Sequence, residues 1–296
     1  MKKEIKWVLG FGLLFFLSMV IFWNWLHAPL PQYVGKKKLV PLQKKVDVYT
    51  DSFGVPHVFA ENEKDLFFSA GYIAARERLF QLSMVALAVK GELASVLGDS
   101  YLKTDIYLRT WRIKKVAIEL VKNMEPENKE IFESFCSGIN YWIQESKKDL
   151  PLEFKILGME PSLWDPVIVA GYTRMMAHEM SGSWKPEIVF GAVLDYFGEE
   201  KLSELIPDGE YDFPTIVSER EKGFASIYRE VLNQETVLRN LFGDYSADIG
   251  SNSWVVAGKK TKTGMPYLAN DPHLAFSQPP RWFEIHLSGG RFNVSG

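Results

Sequence analysis

The spacing of apolar residues changes from helical to strand-like near residue 243, and that change limits the fold more than any other feature. From Glu63 to about Leu97 the pattern is helical: Leu66, Ala70 and Ile73 share one face, then Leu79, Leu82 and Val85, with Gly91 marking a break. Pro126 opens a second helix that runs to about Ile143, and Asp165-Pro166 caps a third that carries Tyr172 to Met180. Residues 187–197 and 217–240 fit further helices. Past the turn-rich stretch Gly243-Asp244-Tyr245-Ser246-Ala247-Asp248 the apolar runs shorten. Ser253–Ala257 and Met265–Ala269 read as strands joined through Thr263-Gly264, and Trp282–Leu287 and Phe292–Ser295 as a pair around Gly289-Gly290. Upstream, Val46-Asp47-Val48-Tyr49 alternates like a strand and Asp51-Ser52-Phe53-Gly54 turns into Val55-Pro56-His57-Val58. A helical stretch of about 200 residues followed by strands predicts an α+β fold.

The first residues serve a different purpose. Lys2, Lys3 and Lys6 precede an apolar run from Trp7 to Leu26 that only Ser18 and Asn24 interrupt. Twenty helical residues span about 30 Å, the hydrocarbon thickness of a bilayer. A secretory signal would have a shorter core and a small-x-small cleavage site, whereas Asn24-Trp25-Leu26-His27 is bulky. Residues 1–27 therefore read as an uncleaved single-pass membrane anchor, a transmembrane helix with Trp23 and Trp25 at the far interface. Cations at the short end place that end in the cytoplasm and the body outside the cell. Residues 28–44 follow as a linker stiffened by Pro29 and Pro31.

Composition closes several other routes. A net charge of −3 and a pI near 6.0 give no electrostatic pull toward nucleic acid. The single cysteine, Cys136, can form neither an internal disulfide nor a thiolate metal site. It falls among Ile131, Phe132, Phe135, Ile139 and Trp142 at helical spacing, which is core packing. No Gly-x-Ser-x-Gly elbow occurs. In Gly258-Lys259-Lys260-Thr261 a lysine stands where a phosphate loop needs its hydroxyl.

One stretch carries chemistry. Gly250-Ser251-Asn252-Ser253-Trp254-Val255-Val256 sets a serine after a glycine at the head of an apolar strand, and Leu268-Ala269-Asn270-Asp271-Pro272-His273 follows about twenty residues later. If the Gly250–Ser251 bond were cut, Ser251 would own both a hydroxyl and a free α-amine. An α-amine has a reference pKa of about 7.7–8.0, so a useful fraction is an unprotonated base near neutral pH. Nucleophile and base would then belong to one residue. The alternative is an ordinary strand–turn–strand, because Gly-Ser-Asn is common turn chemistry.

Further stretches accompany it in order across nearly all of residues 45–296. They are Asp51-Ser52-Phe53-Gly54-Val55-Pro56-His57, Gly71-Tyr72-Ile73-Ala74-Ala75-Arg76-Glu77-Arg78-Leu79-Phe80-Gln81, Lys90-Gly91-Glu92-Leu93, and Trp164 with Asp165. Together with the Ser251 start and the Leu268–His273 segment they resemble the penicillin acylase family of N-terminal-nucleophile hydrolases. Taken singly, each has a structural reading. Gly54 and Pro56 suit a turn, Arg76, Glu77 and Arg78 suit a salt-bridged helix face, and His57 suits a hydrogen-bonded strand histidine.

The resemblance implies an N-terminal-nucleophile hydrolase αββα sandwich, incomplete in this chain. It implies one precursor that cleaves itself between Gly250 and Ser251 by attack of the Ser251 hydroxyl on the Gly250 carbonyl, an N-to-O acyl shift followed by hydrolysis. Residues 45–242 would then be the mainly helical first-chain region, 243–250 the linker to the cleavage point, and 251–296 the start of the sheet-forming second chain. Ser251 and His273 would be catalytic, His273 helping to orient the serine and its amine. Met176 and Met180 would line an acyl pocket, although methionine at helical spacing is also plain core. Glu187 would bind one structural Ca²⁺, or simply face solvent near a helix start; no organic cofactor is implied. The expected substrate is a small N-acyl compound: a β-lactam side chain, an acyl-homoserine lactone or similar. The competing expectation is a truncated, catalytically inactive, membrane-anchored remnant or binding protein, because the oxyanion donors and most calcium ligands of such enzymes lie far beyond the nucleophile.

Overall fold

The computed structural model describes residues 2–181, 184–205, 225–241, 250–274 and 277–296. In chain order the elements are α1 (Lys2–His27), β1 (Asp47–Thr50), β2 (Pro56–Phe59), α2 (Glu63–Lys90), α3 (Ala94–Leu97), α4 (Leu102–Thr110), α5 (Ile113–Lys122) and α6 (Pro126–Ser146). There follow α7 (Leu152–Leu157), α8 (Pro166–Met180), α9 (Trp184–Ser203), α10 (Ala225–Leu241), β3 (Gly250–Val256), β4 (Tyr267–His273), β5 (His286–Gly289) and β6 (Phe292–Ser295). The chain divides into two compact units. One comprises Met1–Ser100, Arg112–Arg174 and Phe283–Gly296; the other comprises Tyr101–Trp111 and Met175–Trp282.

The first unit is built on α2 and α6. Asn62 caps α2 by accepting from the Asp65 amide at 2.8 Å. Gly91 ends it in the left-handed conformation, φ 66° and ψ 48°, as the sequence break predicts. Two glycines let the helices touch: a Cβ on Gly71 would stand 2.0 Å from Phe135 O, and one on Gly138 would stand 1.9 Å from Phe68 O. The core gathers Val58, Leu66, Tyr72 and Ile73, with Val46, Trp142, Phe283 and Leu287 packed on it. Cys136 on α6 is buried as expected, and burial pushes its thiol pKa up to about 12.

A four-stranded sheet in the order β1-β2-β5-β6 completes this unit. β1 and β2 are antiparallel, as are β5 and β6, but β2 and β5 run parallel, with His57 opposite His286. Trp282–Leu287 has the pattern of a strand, but β5 occupies His286–Gly289, leaving Phe283 and Ile285 to pack on the core. Residues 28–44 have little regular structure, yet their end is pinned. The Gln43 and Lys44 amides donate to the buried Asp65 carboxylate, each at 2.9 Å, which satisfies a charge that burial would otherwise penalise.

In the second unit α10 packs on α4 and α9. Buried Thr104 donates to Gln234 Oε1 at 2.9 Å, and Gly191 leaves room for the Tyr228 ring, 3.0 Å from where its Cβ would be. The stretch of α10 expected from residue 217 begins outside the described residues, as do residues 243–249 of the expected linker 243–250. The short helices α4 and α7 lack a clear apolar period, whereas α5 carries one in Ile113, Val116, Ala117 and Leu120 and buries Ile113 and Ala117.

The β3–β4 hairpin belongs to this unit. Gly264 makes its turn possible at φ +74°, and Gly258 lies so close beneath that a Cβ would stand 2.2 Å from Gly264 O. Trp254, Val255, Met265 and Leu268 on the ribbon are exposed. α1 includes a stretch, Leu9–His27, long and apolar enough to cross a membrane, with mean hydropathy 1.9 and no buried residues.

Candidate active site

Register fixes the geometry around Ser251. Across the antiparallel ladder Gly250 pairs with His273, Ser251 with Pro272, Asn252 with Asp271 and Ser253 with Asn270. Side chains alternate along a strand, and directly opposed residues share a face. His273 and Asp271 therefore share a face with Gly250 and Asn252, and the His273 Nε2 lies 2.9 Å from Asp271 Oδ2. Ser251 lies on the other face, with Ser253 and Asn270. The hairpin thus brings the His273 backbone beside the Gly250–Ser251 bond and turns its imidazole away from the Ser251 hydroxyl. The expected role of His273, orienting the serine and its amine, concerns the cleaved enzyme, in which that α-amine exists.

Ser251 and its neighbours are exposed, so the bond that would break is open to solvent. Gly250 has an ordinary extended φ, and a Cβ there would meet nothing within 4 Å. Local sterics do not demand this glycine. If it is needed, the demand comes from the acyl shift, where a substituent would crowd the attacked carbonyl.

The helix expected to form an acyl pocket is α8. Its amide cap is the one the sequence suggested: Asp165 Oδ1 accepts from the Ile168 amide at 3.0 Å. In the second unit's part of the helix, Met175 is the buried methionine at 1% exposure, Met176 is half-buried, and Met180 is 65% exposed. Between them Glu179 forms an ion pair with Arg281, each side chain only 13% exposed. Neither Met175 nor this pair stood out in the sequence, because partners about a hundred residues apart leave no local pattern.

α8 also carries His178, which sequence reasoning missed. Its ring lies between Trp111, 4.2 Å away by centroids, and Trp184, stacked at 5.6 Å and 17°. The His178 Nε2 lies 2.9 Å from the Tyr107 hydroxyl, and that hydroxyl donates to Glu235 Oε2 at 3.3 Å. Glu235 is buried and ion-paired with Lys185. Burial holds the His178 pKa below its usual value against the attraction of Glu235, and Lys185 lowers it further. Burial, with Glu235 beside it, raises that of Tyr107. The network suits a neutral, fixed imidazole.

Glu187 is exposed in the first turn of α9. Calcium takes six to eight oxygen ligands. Among the described residues no group of three or more His, Cys, Asp or Glu could hold a metal ion. One exposed carboxylate does not make a calcium site by itself.

The penicillin amidase family profile matches residues 45–296. Penicillin acylase 2 proenzyme of Pseudomonas sp. (strain SE83) is 30% identical over 277 residues, covering 92% of this chain and 35% of that protein. Acyl-homoserine lactone acylase QuiP of Pseudomonas fluorescens (strain Pf0-1) is 26% identical over 282 residues, covering 93% of this chain and 34% of that protein. The chain thus spans about a third of the length of these relatives. A solved thermostable penicillin G acylase from Alcaligenes faecalis, 25% identical, covers 60% of this chain and 98% of its own with a TM-score of 0.48, too low for shape alone to argue a shared fold.

Proposed function

The chain belongs to the penicillin amidase family, and on that premise we propose that it is the front part of an N-acyl amidohydrolase that matures by cutting its own Gly250–Ser251 bond. The observation that carries the reading is the placement of that bond: an exposed serine at the head of β3, with glycine before it and the His273 backbone directly across the ladder. In the precursor the Ser251 hydroxyl attacks the Gly250 carbonyl carbon, the C–N bond breaks as the peptide nitrogen takes a proton, and water hydrolyses the resulting ester. The new α-amine then serves as the base that removes the hydroxyl proton when a substrate amide binds.

In this reading His273 is a positioning residue: its strand holds the serine, and its imidazole is committed to Asp271. The β3–β4 ribbon is the beginning of the αββα sandwich; a two-stranded hairpin with apolar residues exposed is marginal in water until other elements cover it. Met176, on the half-buried face of α8, contacts the acyl group more readily than the exposed Met180. The printed names of the relatives point to penicillin-type and acyl-homoserine lactone amides as substrates. α1 anchors the protein in the membrane with the body outside the cell.

The test is direct. Full-length protein should hydrolyse a chromogenic phenylacetyl or aliphatic N-acyl amide, and Ser251→Ala should lose that activity completely. Equal hydrolysis by wild type and Ser251→Ala would sink the assignment.

A further inference from the structure

Two histidines far apart in sequence meet on the four-stranded sheet of the first unit. His57 on β2 and His286 on β5 are register partners across the parallel pair. Their Nδ1 atoms lie 3.1 Å apart, with the rings inclined at 75°. Both are half-buried, so solvent reaches them.

The other nitrogen of each ring faces an oxygen. His57 Nε2 stands 3.5 Å from Asp51 Oδ2, and His286 Nε2 stands 3.0 Å from Asn293 Oδ1. Asp51 is itself held in place, its Oδ1 accepting from the Phe53 and Val55 amides at 2.8 and 2.9 Å. The Val55 amide, then that of Phe53, keeps its carboxyl below the usual range, so it faces His57 as a carboxylate. An acceptor beside Nε2 selects the tautomer with its proton there and leaves the Nδ1 lone pair free. Two such lone pairs facing each other repel unless a proton or a metal ion lies between them, and the 3.1 Å separation suits either.

Metal-bound histidines show the same outer arrangement: the second ring nitrogen donates to a carboxylate or another oxygen, which fixes tautomer and orientation. The spacing also agrees. Two nitrogens bound at about 2.0–2.1 Å in tetrahedral geometry stand about 3.3 Å apart. Imidazole pairs suit zinc, copper and nickel rather than calcium or magnesium.

We propose that His57 Nδ1 and His286 Nδ1 bind one divalent transition metal, with zinc the best fit. Asp51 and Asn293 orient the two rings, and water completes the shell. No third protein ligand gathers there among the described residues, so the ion is exchangeable rather than locked in. His57 precedes the Gly250–Ser251 bond and His286 follows it, so the ion bridges strands from both sides of that bond. Metal binding itself does not depend on the cut.

The test uses the metal-free full-length protein and its uncleaved Ser251→Ala variant, titrated with zinc against a chromogenic chelator. Both should bind one zinc at this site. His57→Gln and His286→Gln, each alone, should weaken that binding at least tenfold, and Asn293→Leu by about tenfold through its outer-shell role. Long-range ¹H–¹⁵N spectra of histidine-labelled wild type keep the test independent of whether those variants fold. They should show both rings protonated at Nε2, with both Nδ1 signals moving on zinc addition. Unchanged zinc binding in both histidine variants would overturn the proposal. So would a proton that stays on one Nδ1 while zinc is added.

Discussion

Gly250 and His273 face each other across the first rung of the β3–β4 hairpin, while Ser251, one residue on, faces Pro272 from the opposite side of the ribbon. The backbone of His273 thus adjoins the bond expected to break, and its imidazole reaches Asp271 instead.

That relationship separates two bases. Loss of a side-chain general base costs about 10²–10⁴ in rate. With the α-amine of Ser251 as base, His273→Ala should slow turnover by less than about tenfold. Its pH–rate profile should keep the wild-type midpoint, set by an amine with a reference pKa of about 7.7–8.0, and activity should fall below it as the amine is protonated. A loss of a hundredfold or more, or a shifted midpoint, would return the imidazole to the catalytic step.

Glycine substitutions divide packing from chemistry. Gly71→Ala and Gly138→Ala would each drive a Cβ to about 2 Å from a backbone oxygen of the facing helix. Each should lower stability by at least the ~1–3 kcal/mol typical of overpacking, measured by thermal or urea unfolding. Gly250→Ala meets open space, so its stability should stay within about 0.5 kcal/mol of wild type. Any slowing of its self-cleavage then reports on the acyl shift alone.

Much of this was legible in the sequence, and the reasons are specific. Gly91, Pro126 and Asp165-Pro166 are local signals that act within a turn or two, and each marks a helix end in the structure. Cys136 sat among apolar residues at helical spacing and is buried. Long-range pairing left no such trace. Nothing local tells β2 to take β5 as its parallel neighbour, or Glu179 to find Arg281. The methionines show the limit of periodicity: Met175, next to the residue expected to matter, is the buried one. The face occupied by His273 could be read only once the register was known.

The His178 network predicts an acid sensitivity. Its pKa is lowered in the folded protein, so the folded state binds fewer protons than the unfolded chain, where histidine titrates near 6.5. The stability it contributes is fully present above about pH 6.5 and is lost as pH falls through the lower folded value. Urea unfolding at pH 7.5 and pH 5 should show a drop in midpoint that His178→Phe reduces. An equal drop in the variant would remove His178 as the cause.

The anchor is tested by topology. Protease added to intact cells should digest the body beyond residue 40 and leave a fragment containing Trp7–Leu26 in the membrane. A soluble product whose N-terminus lies after residue 27 would contradict an uncleaved α1.

The most direct measurement is the N-terminal sequence of the larger fragment released when the full-length protein matures. It should begin Ser-Asn-Ser-Trp, and Ser251→Ala should yield only uncut precursor, because the acyl shift needs that hydroxyl. An active enzyme that stays uncut, or a new N-terminus at any residue other than Ser251, would contradict the account.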